Sequence, residues 1–183
     1  MPSLPILNPT EIELEGVLYS GMEGTVVKGR FNQAPVAVKR FAIRNSHSVA
    51  RFDKEAQVLE LETLRNVVRP VGIVRTAPHY WLVLPYFARG DLGRVSREDS
   101  NISLPLALCL CLDAAVALAS VHESGLVFRD FKSANVLVDD SYHAYLTDFG
   151  SVQNLAKGIE KEENDMGPTG GFHKRRFECR SSH

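Results

Sequence analysis

Four polar residues in the second half of the chain have the types and spacing needed for phosphate chemistry. Asp130, Lys132 and Asn135 lie in one short segment, and Asp148 follows in a Thr-Asp-Phe-Gly string. A carboxylate can orient a hydroxyl group, while an amide and a second carboxylate can hold magnesium. These groups together are what phosphoryl transfer from ATP needs. An Asp-Phe-Gly string alone is usually a turn, whereas Asp-x-Lys-x-x-Asn followed by Asp-Phe-Gly is a specific pattern.

Two features nearer the N-terminus could contact the phosphates of a nucleotide. Gly21 and Gly24 lie in a Gly-containing segment whose backbone N–H groups could close over phosphate oxygens. A Val-Ala-Val-Lys string follows and ends at Lys39. Taken alone, the glycines are more typical of a hairpin turn, and Lys39 of a solvated lysine at a strand end.

Length and composition are those of a globular protein. The 183 residues suffice for one domain or two small lobes, and the 44% hydrophobic and 23% charged contents are ordinary. A net charge of −1 gives no strong field, so we expect neither nucleic acid nor a membrane as partner. The chain lacks a signal-peptide pattern, and its 3 Cys suggest no disulfide framework. We therefore expect a reducing, cytoplasmic location.

The element pattern predicts a small antiparallel sheet with one helix packed on it. Ser46 or Ser48 could cap that helix, which would run to about Leu64. Residues 1–10, with three Pro, are expected to form an irregular tail. Five strands are predicted around residues 12–17, 25–27, 36–39, 67–74 and 80–84.

The segment 104–121 is apolar enough to be mistaken for a membrane span. Asp113 interrupts it and Pro105 lies near its start, whereas a span needs about 20 apolar residues without a central charge. We interpret it as a helix capped by Ser103 and buried in protein.

From about residue 11 to residue 150, these motifs together resemble a eukaryotic-type protein kinase domain. The string Phe-Lys-Ser-Ala-Asn at 131–135 is most similar to the tyrosine-kinase-like group of serine/threonine kinases. The resemblance implies an α+β fold with a complete small-sheet N-lobe carrying one helix, and an incomplete, mostly helical C-lobe. The implied divisions are a tail at 1–10, the N-lobe at 11–87, a partial C-lobe at 88–150 and a truncated, mobile activation segment at 151–183.

The resemblance implies catalytic and metal-binding roles for the residues named first. Asp130 would orient the substrate hydroxyl, and Lys132 would neutralise the transferring phosphoryl group. Lys132 also favours Ser or Thr over Tyr as the acceptor. Asn135 and Asp148 would coordinate Mg²⁺ together with the phosphates of ATP.

A triphosphate site is implied in the N-lobe. The spacing of Lys39 after Gly21 and Gly24 favours a phosphate-binding loop, although Tyr19 occupies the first glycine position of the family pattern. Lys39 would reach the α- and β-phosphates and pair with Glu55. Asp53 is a neighbouring alternative partner, but it would point about 200° away around the helix.

The adenine ring is expected to lie between apolar surfaces. Its expected position is between Val26 and Ala37 above and Leu137 below, with Leu84 guarding the back of the pocket. Most kinases have an acidic residue at the position occupied here by Pro85. Pro85 keeps its carbonyl group, and the Phe87 N–H would serve as the donor to the base.

Two further positions near the catalytic loop carry expectations. Phe128 replaces the usual His and should stack with Phe149 and Leu59. Arg129 could pair with a phosphorylated Thr169, although a plain surface Thr is the commoner situation.

A complete kinase continues beyond Gly150 with an Ala-Pro-Glu segment and several more helices that this sequence does not show. We therefore expect a fragment in which the 104–121 helix exposes part of its apolar surface, either for a partner or as an aggregation liability. Residues 173–183 could be a basic localisation patch or the end of a truncated product. The hypotheses are a serine/threonine kinase that is weak or inactive alone, a non-catalytic ATP-binding pseudokinase or regulatory module, and a non-functional product. The protein substrate is unknown.

Overall fold

A five-stranded antiparallel sheet forms the first half of the structure. The computed structural model describes residues 4–21, 24–99 and 102–155. The strand order is β1-β2-β3-β5-β4, and every neighbouring pair is antiparallel. The strands are β1 (Ile12–Gly21), β2 (Gly24–Phe31), β3 (Ala34–Phe41), β4 (Gly72–Thr76) and β5 (His79–Pro85). The predicted number of strands is therefore confirmed.

Two strand boundaries differ from the prediction. The turn between β2 and β3 is only Asn32 and Gln33, both with positive φ (48° and 65°), as tight hairpins require. β4 begins at Gly72 because Val67 and Val68 pair elsewhere. Val67 bridges Leu146, and the Val68 N–H donates to the Leu146 carbonyl at 2.9 Å. The apolar run at 67–74 thus serves two partners.

The helix α1 (Ser46–Leu59) packs on one face of the sheet. Its cap is Asn45, whose side chain accepts a hydrogen bond from the Ser48 N–H at 3.0 Å, so the predicted serine caps were wrong. The helix also ends earlier than predicted. The following loop is held by the Arg69 guanidinium, which donates to the carbonyls of Leu59, Leu61 and Leu64.

Alternation along the strands gives the sheet two different faces. Val36 and Val38 of β3 are buried on the face away from α1, and Ala37 and Lys39 point to the other side. Leu82, opposite Lys39 on β5, is fully buried in the core that includes α1. The second core lies on the outer face and contains Leu7, Ile12, Val36, Val38, Val74, Trp81 and Val83.

The N-terminal segment packs against the edge of the sheet. Ile6 forms a parallel bridge with Ile73, the Leu7 N–H donates to the Ile73 carbonyl at 2.7 Å, and the Ile73 N–H donates to Pro5 at 2.8 Å. Leu7 is buried. Residues 4–8, expected to be an irregular tail, therefore extend the sheet beyond β4.

The second half contains two helices and short strands. These are α2 (Leu92–Glu98), α3 (Leu104–Glu123), β6 (Leu126–Val127), β7 (Val136–Val138), β8 (Ala144–Leu146) and β9 (Gln153–Asn154). β7 pairs with β8, and β6 with β9. Val152 is buried, so the start of the segment expected to be mobile is packed instead. Residues 156–183 lie outside the described residues.

Helix α3 is buried along one side only. Ser103 caps it as predicted, and Leu110, Ala114 and Val121 face the core. Leu104, Leu108 and Leu112 are 74%, 61% and 64% exposed. By length and composition, this is the one helix in the described part of the chain that could cross a membrane.

Asp113 ties α3 to the rest of the protein. Its carboxylate accepts hydrogen bonds from the Asn66 side chain and from the Ala144 N–H, each at 2.9 Å. One face of α3 is thus buried in protein, as expected. Among the described residues, the opposite apolar face of α3 is exposed, which was also expected.

Candidate active site

Lys39 is the point at which three distant segments meet. Strand β3 presents its ammonium group to Glu55 of α1, with Nζ 2.7 Å from Oε1 and 2.9 Å from Oε2. The same Nζ lies 2.7 Å from Oδ1 of Asp148. The predicted Lys39–Glu55 pair is therefore present. The resemblance places Lys39 and Asp148 at the same triphosphate, but the direct contact between them, across 109 residues of sequence, was not predicted. A local pattern of residue types does not predict a contact between residues so far apart in the sequence.

The charge state of Lys39 follows from these contacts. Burial lowers the pKa of Lys39, but the charges of Glu55 and Asp148 outweigh burial and raise it overall. Glu55 is only 3% exposed, so its carboxylate is held largely away from water. Asp53 points elsewhere, as predicted, and pairs with Arg75 at 2.9 Å.

The catalytic loop brings the two predicted catalytic side chains into contact. Oδ2 of Asp130 accepts hydrogen bonds from Lys132 Nζ at 2.6 Å and from Asn135 Nδ2 at 3.0 Å. The hydrogen bond from Lys132 is the main reason that the pKa of Asp130 is lowered. The Asp130 side chain is 46% exposed. It is therefore an ionised carboxylate that solvent or a substrate can reach.

Asn135 and Asp148, the predicted magnesium ligands, are connected through the backbone. The Asn135 carbonyl accepts a hydrogen bond from the Thr147 N–H at 2.9 Å, immediately before Asp148. Asn135 Nδ2 donates hydrogen bonds to the backbone carbonyl and to Oδ2 of Asp130, so Oδ1 of Asn135 remains available as an acceptor. Asp148 adopts a left-handed conformation (φ 63°, ψ 70°), and its side chain is 44% exposed.

These two side chains fit a magnesium ion that shares its coordination with phosphates. Mg²⁺ takes hard oxygen ligands, usually one or two from the protein with the rest from phosphate and water. Asn135 offers an amide oxygen, and Asp148 offers the carboxylate oxygen that does not bind Lys39. No group of three or more His, Cys, Asp or Glu suited to a metal occurs in the described residues.

The residues predicted to contact adenine line a half-buried surface. Val26 lies opposite Lys39 across β2 and β3, and Ala37 lies opposite Leu84, so these side chains share a face of the sheet. In β7, Leu137 is half-buried between the fully buried Val136 and Val138. This exposure pattern distinguishes them from ordinary core residues.

The segment after β5 approaches β7. The Val138 N–H donates to the Gly90 carbonyl at 3.0 Å, and Asp91 bridges Leu137. Pro85 and Phe87 are both half-buried. The predicted donor at Phe87 therefore lies in a segment that hydrogen bonds tie to the strand carrying Leu137.

Gly21 and Gly24 of the loop are glycine for different physical reasons. Gly24 has φ +152°, and a β-carbon there would lie 2.0 Å from the Arg40 carbonyl oxygen, so only Gly fits beside β3. A β-carbon on Gly21 would instead lie 2.8 Å from the hydroxyl oxygen of Tyr19. Residues 22 and 23 lie outside the described part of the chain.

Phe128 fills the space of the usual His by packing alone. Its ring lies 5.4 Å from that of Phe149 in an edge-to-face arrangement, and Leu59 belongs to the same buried cluster. The predicted contact of Phe128 with Phe149 is confirmed. Arg129 donates to the Gln153 side chain at 3.2 Å, and Thr169 lies outside the described residues.

Comparison with known proteins identifies the family. Residues 12–170 match the family described as protein tyrosine and serine/threonine kinase. The chain belongs to the protein kinase family. The α+β fold implied by the resemblance is confirmed, and by family the chain is a protein tyrosine or serine/threonine kinase.

Three relatives show what this kinase domain is similar to. It is 29% identical over 182 residues to the protein kinase and PP2C-like domain-containing protein of Oryza sativa subsp. japonica, covering 92% of this chain and 27% of that protein. It is 33% identical over 161 residues to the probable serine/threonine-protein kinase kinX of Dictyostelium discoideum, and this match covers 84% of this chain and 14% of that protein. It is also 31% identical over 155 residues to the probable serine/threonine-protein kinase PBL28 of Arabidopsis thaliana, and this match covers 79% of this chain and 41% of that protein. The chain thus spans less than half the length of each.

Proposed function

We propose that this chain transfers a phosphoryl group from ATP to a serine or threonine hydroxyl of a protein. The observation that carries the proposal is the Lys39 ammonium, which contacts both Glu55 and Asp148 within 3 Å. A lysine held between two carboxylates from different parts of the chain has a fixed position, and a fixed cation is what orientation of phosphates requires.

Each polar side chain of the site has a proposed role. Lys39 binds the α- and β-phosphates, and Glu55 keeps its ammonium in place. Asn135 and Asp148 would hold Mg²⁺, which supplies charge neutralisation at the phosphate oxygens when bound. Asp130 accepts the hydroxyl proton, and Lys132 stabilises the negative charge on the transferring group.

The base and the loop supply the remaining contacts. Adenine lies between Val26 and Ala37 on one side and Leu137 on the other, with Leu84 behind it. The Pro85 carbonyl and the Phe87 N–H hydrogen-bond the base. The backbone at Gly21 and Gly24 closes over the phosphates. Half-burial of the apolar contacts supports this arrangement.

The exposed face of α3 favours a second candidate, a non-catalytic ATP-binding or regulatory module. Three leucines of this helix, Leu104, Leu108 and Leu112, are more than half exposed. Exposing three Leu-sized side chains forfeits roughly 5 kcal/mol of burial, a large part of a domain's stability. On this second candidate, the chain alone transfers little phosphate and a partner covers the α3 face.

Nucleotide binding and phosphate transfer separate the two candidates. Thermal shift with ATP, with and without Mg²⁺, reports binding, and radiolabelled ATP with a generic basic protein reports transfer. For the kinase, transfer is expected in the wild type and in Asp140→Asn, an exposed turn carboxylate, and its loss in Asp130→Asn. Magnesium-dependent binding without transfer identifies the module. A chain that binds no nucleotide would refute both candidates.

A further inference from the structure

Tyr19 occupies an unusual place in the nucleotide cleft. The kinase pattern has glycine at this position, and here β1 carries a phenol that is 66% exposed. A register shift between Val17 and Tyr19 places Tyr19 opposite Val26, which in turn lies opposite Lys39. Cross-strand partners share a face of a sheet. Tyr19, Val26 and Lys39 therefore form one row on the face assigned to the nucleotide.

The phenol ring lies along the glycine loop. A β-carbon on Gly21 would be 2.8 Å from the Tyr19 hydroxyl oxygen and 2.9 Å from a ring carbon, so the ring covers the space that the absent side chain leaves. This is the segment whose N–H groups are assigned to the phosphates. The Tyr19 hydroxyl is thus at the phosphate end of the row, beyond the apolar contacts for adenine.

Tyr19 also comes within electrostatic reach of the catalytic loop across the cleft. The pKa of Lys132 is raised chiefly by its hydrogen bond to Asp130, with smaller contributions from the Asp148 carboxylate and the Tyr19 phenol. Among residues 4–21, 24–99 and 102–155, the Tyr19 hydroxyl has no hydrogen-bond partner. An exposed hydroxyl that lies against Gly21 and within electrostatic range of Lys132 is available to a ligand.

We propose that the Tyr19 hydroxyl donates a hydrogen bond to the terminal phosphate of ATP and thereby favours ATP over ADP. The inference rests on the proposed nucleotide site and assigns it a specificity residue. The terminal phosphate is the group that must lie near Asp130 and Lys132 for transfer, and the Tyr19 phenol is close enough to Lys132 to interact with it electrostatically. ADP lacks this phosphate, so only ATP gains the contact.

Binding constants of the full chain for magnesium-ATP and magnesium-ADP, measured by calorimetry, test the proposal. Tyr19→Phe keeps the ring and removes only the hydroxyl. We expect it to weaken ATP binding by about tenfold, the effect of losing a hydrogen bond to a charged group, and to leave ADP binding unchanged. Tyr142→Phe is the control, because its hydroxyl bonds Asp99 away from the cleft, and it should keep the wild-type ATP/ADP ratio.

Three outcomes would overturn the proposal. An ATP/ADP ratio in Tyr19→Phe within twofold of the wild type would show that the hydroxyl makes no contact with the terminal phosphate. Tighter binding of both nucleotides by Tyr19→Gly would show that the ring obstructs the phosphates. A wild type that binds neither nucleotide would refute the nucleotide site itself, and the role of Tyr19 with it.

Discussion

Lys39 illustrates how a single residue can organise a site. It is 16% exposed and contacts two carboxylates, of which Glu55 is 3% exposed and Asp148 is 44% exposed. Removing Lys39 would therefore affect the two carboxylates differently. Asp148 could turn to water or a metal, whereas Glu55 is held in the interior, where an ion without its counter-ion is costly.

Replacing Lys39 by Met should destabilise the fold. The substitution leaves the Glu55 carboxylate without its ammonium partner, and we expect a loss of about 3 kcal/mol in the free energy of unfolding, measured by urea denaturation. Lys28→Met is the matched control on β2, since Lys28 is 36% exposed and lies 3.6 Å from Glu15. The control should lose less than about 1 kcal/mol. Equal losses would contradict a special role for the buried pair.

The Asp130–Lys132 contact predicts the titration of the catalytic carboxylate. The Lys132 hydrogen bond holds the pKa of Asp130 below its ordinary value of 3.8. A carboxyl group with a lowered folded pKa contributes stability above the unfolded pKa and loses it as the pH falls through the folded value. An NMR titration of the Asp130 carboxyl carbon should therefore have its midpoint below pH 3.8. In Lys132→Met the midpoint should move upward, and an unchanged midpoint would exclude Lys132 as the cause.

At the scale of secondary structure, the loop after α1 is held by one side chain. Arg69 donates to the carbonyls of Leu59, Leu61 and Leu64 at 2.9, 2.7 and 2.6 Å. Burial lowers the pKa of Arg69, and no carboxylate hydrogen bond to it occurs among the described residues. The guanidinium thus satisfies carbonyls at the end of α1, the helix that carries Glu55.

Arg69→Met should loosen this loop and with it the position of α1. We expect a loss of about 2 kcal/mol in unfolding free energy, since several charge-assisted hydrogen bonds disappear together. Hydrogen exchange at residues 59–64 should also accelerate. Arg75→Met, which removes one exposed ion pair with Asp53, should cost less than about 1 kcal/mol. If both variants unfold at the same urea concentration, Arg69 does not secure the loop.

Element boundaries show where local patterns are insufficient. The alternation of Val36, Ala37, Val38 and Lys39 predicted β3 because strand periodicity is a property of neighbouring residues. The segment 67–74 was predicted as one strand, but Val67 and Val68 pair with Leu146, and hydrogen bonding to β5 starts only at Val71. The apolar character of a segment does not determine which strand each of its residues will pair with.

At the scale of the whole molecule, the unequal faces of α3 dominate. One side packs Leu110, Ala114 and Val121 into the core, and Asp113 anchors the helix through hydrogen bonds to Asn66 and Ala144. The other side presents leucines to solvent among the described residues. Contiguous exposed apolar surface of this kind promotes association.

Replacing Leu104, Leu108 and Leu112 together by Gln should reduce self-association without unfolding the chain. These side chains are already more than half exposed, so little burial is lost. Sedimentation velocity should show less aggregate, with a melting temperature close to that of the wild type. Leu110→Gln is the control, because Leu110 is 1% exposed and its replacement should cost about 3 kcal/mol or more. A triple variant that aggregates as before would show that this face is not the cause.

The sequence by itself determined the chemistry that is available and the order of the elements. Asp130, Lys132 and Asn135 lie within one turn-rich segment, so their proximity is a consequence of chain connectivity, and strand alternation places Ala37 and Lys39 on one face. Tertiary structure alone decided that Asp148 shares Lys39 with Glu55, that Tyr19 lies against Gly21, and that Val67 joins Leu146. These contacts join residues whose meeting depends on how the strands and lobes pack or on how one side chain bends. Neither the packing of the strands and lobes nor the conformation of a single side chain can be predicted from a local pattern of residue types.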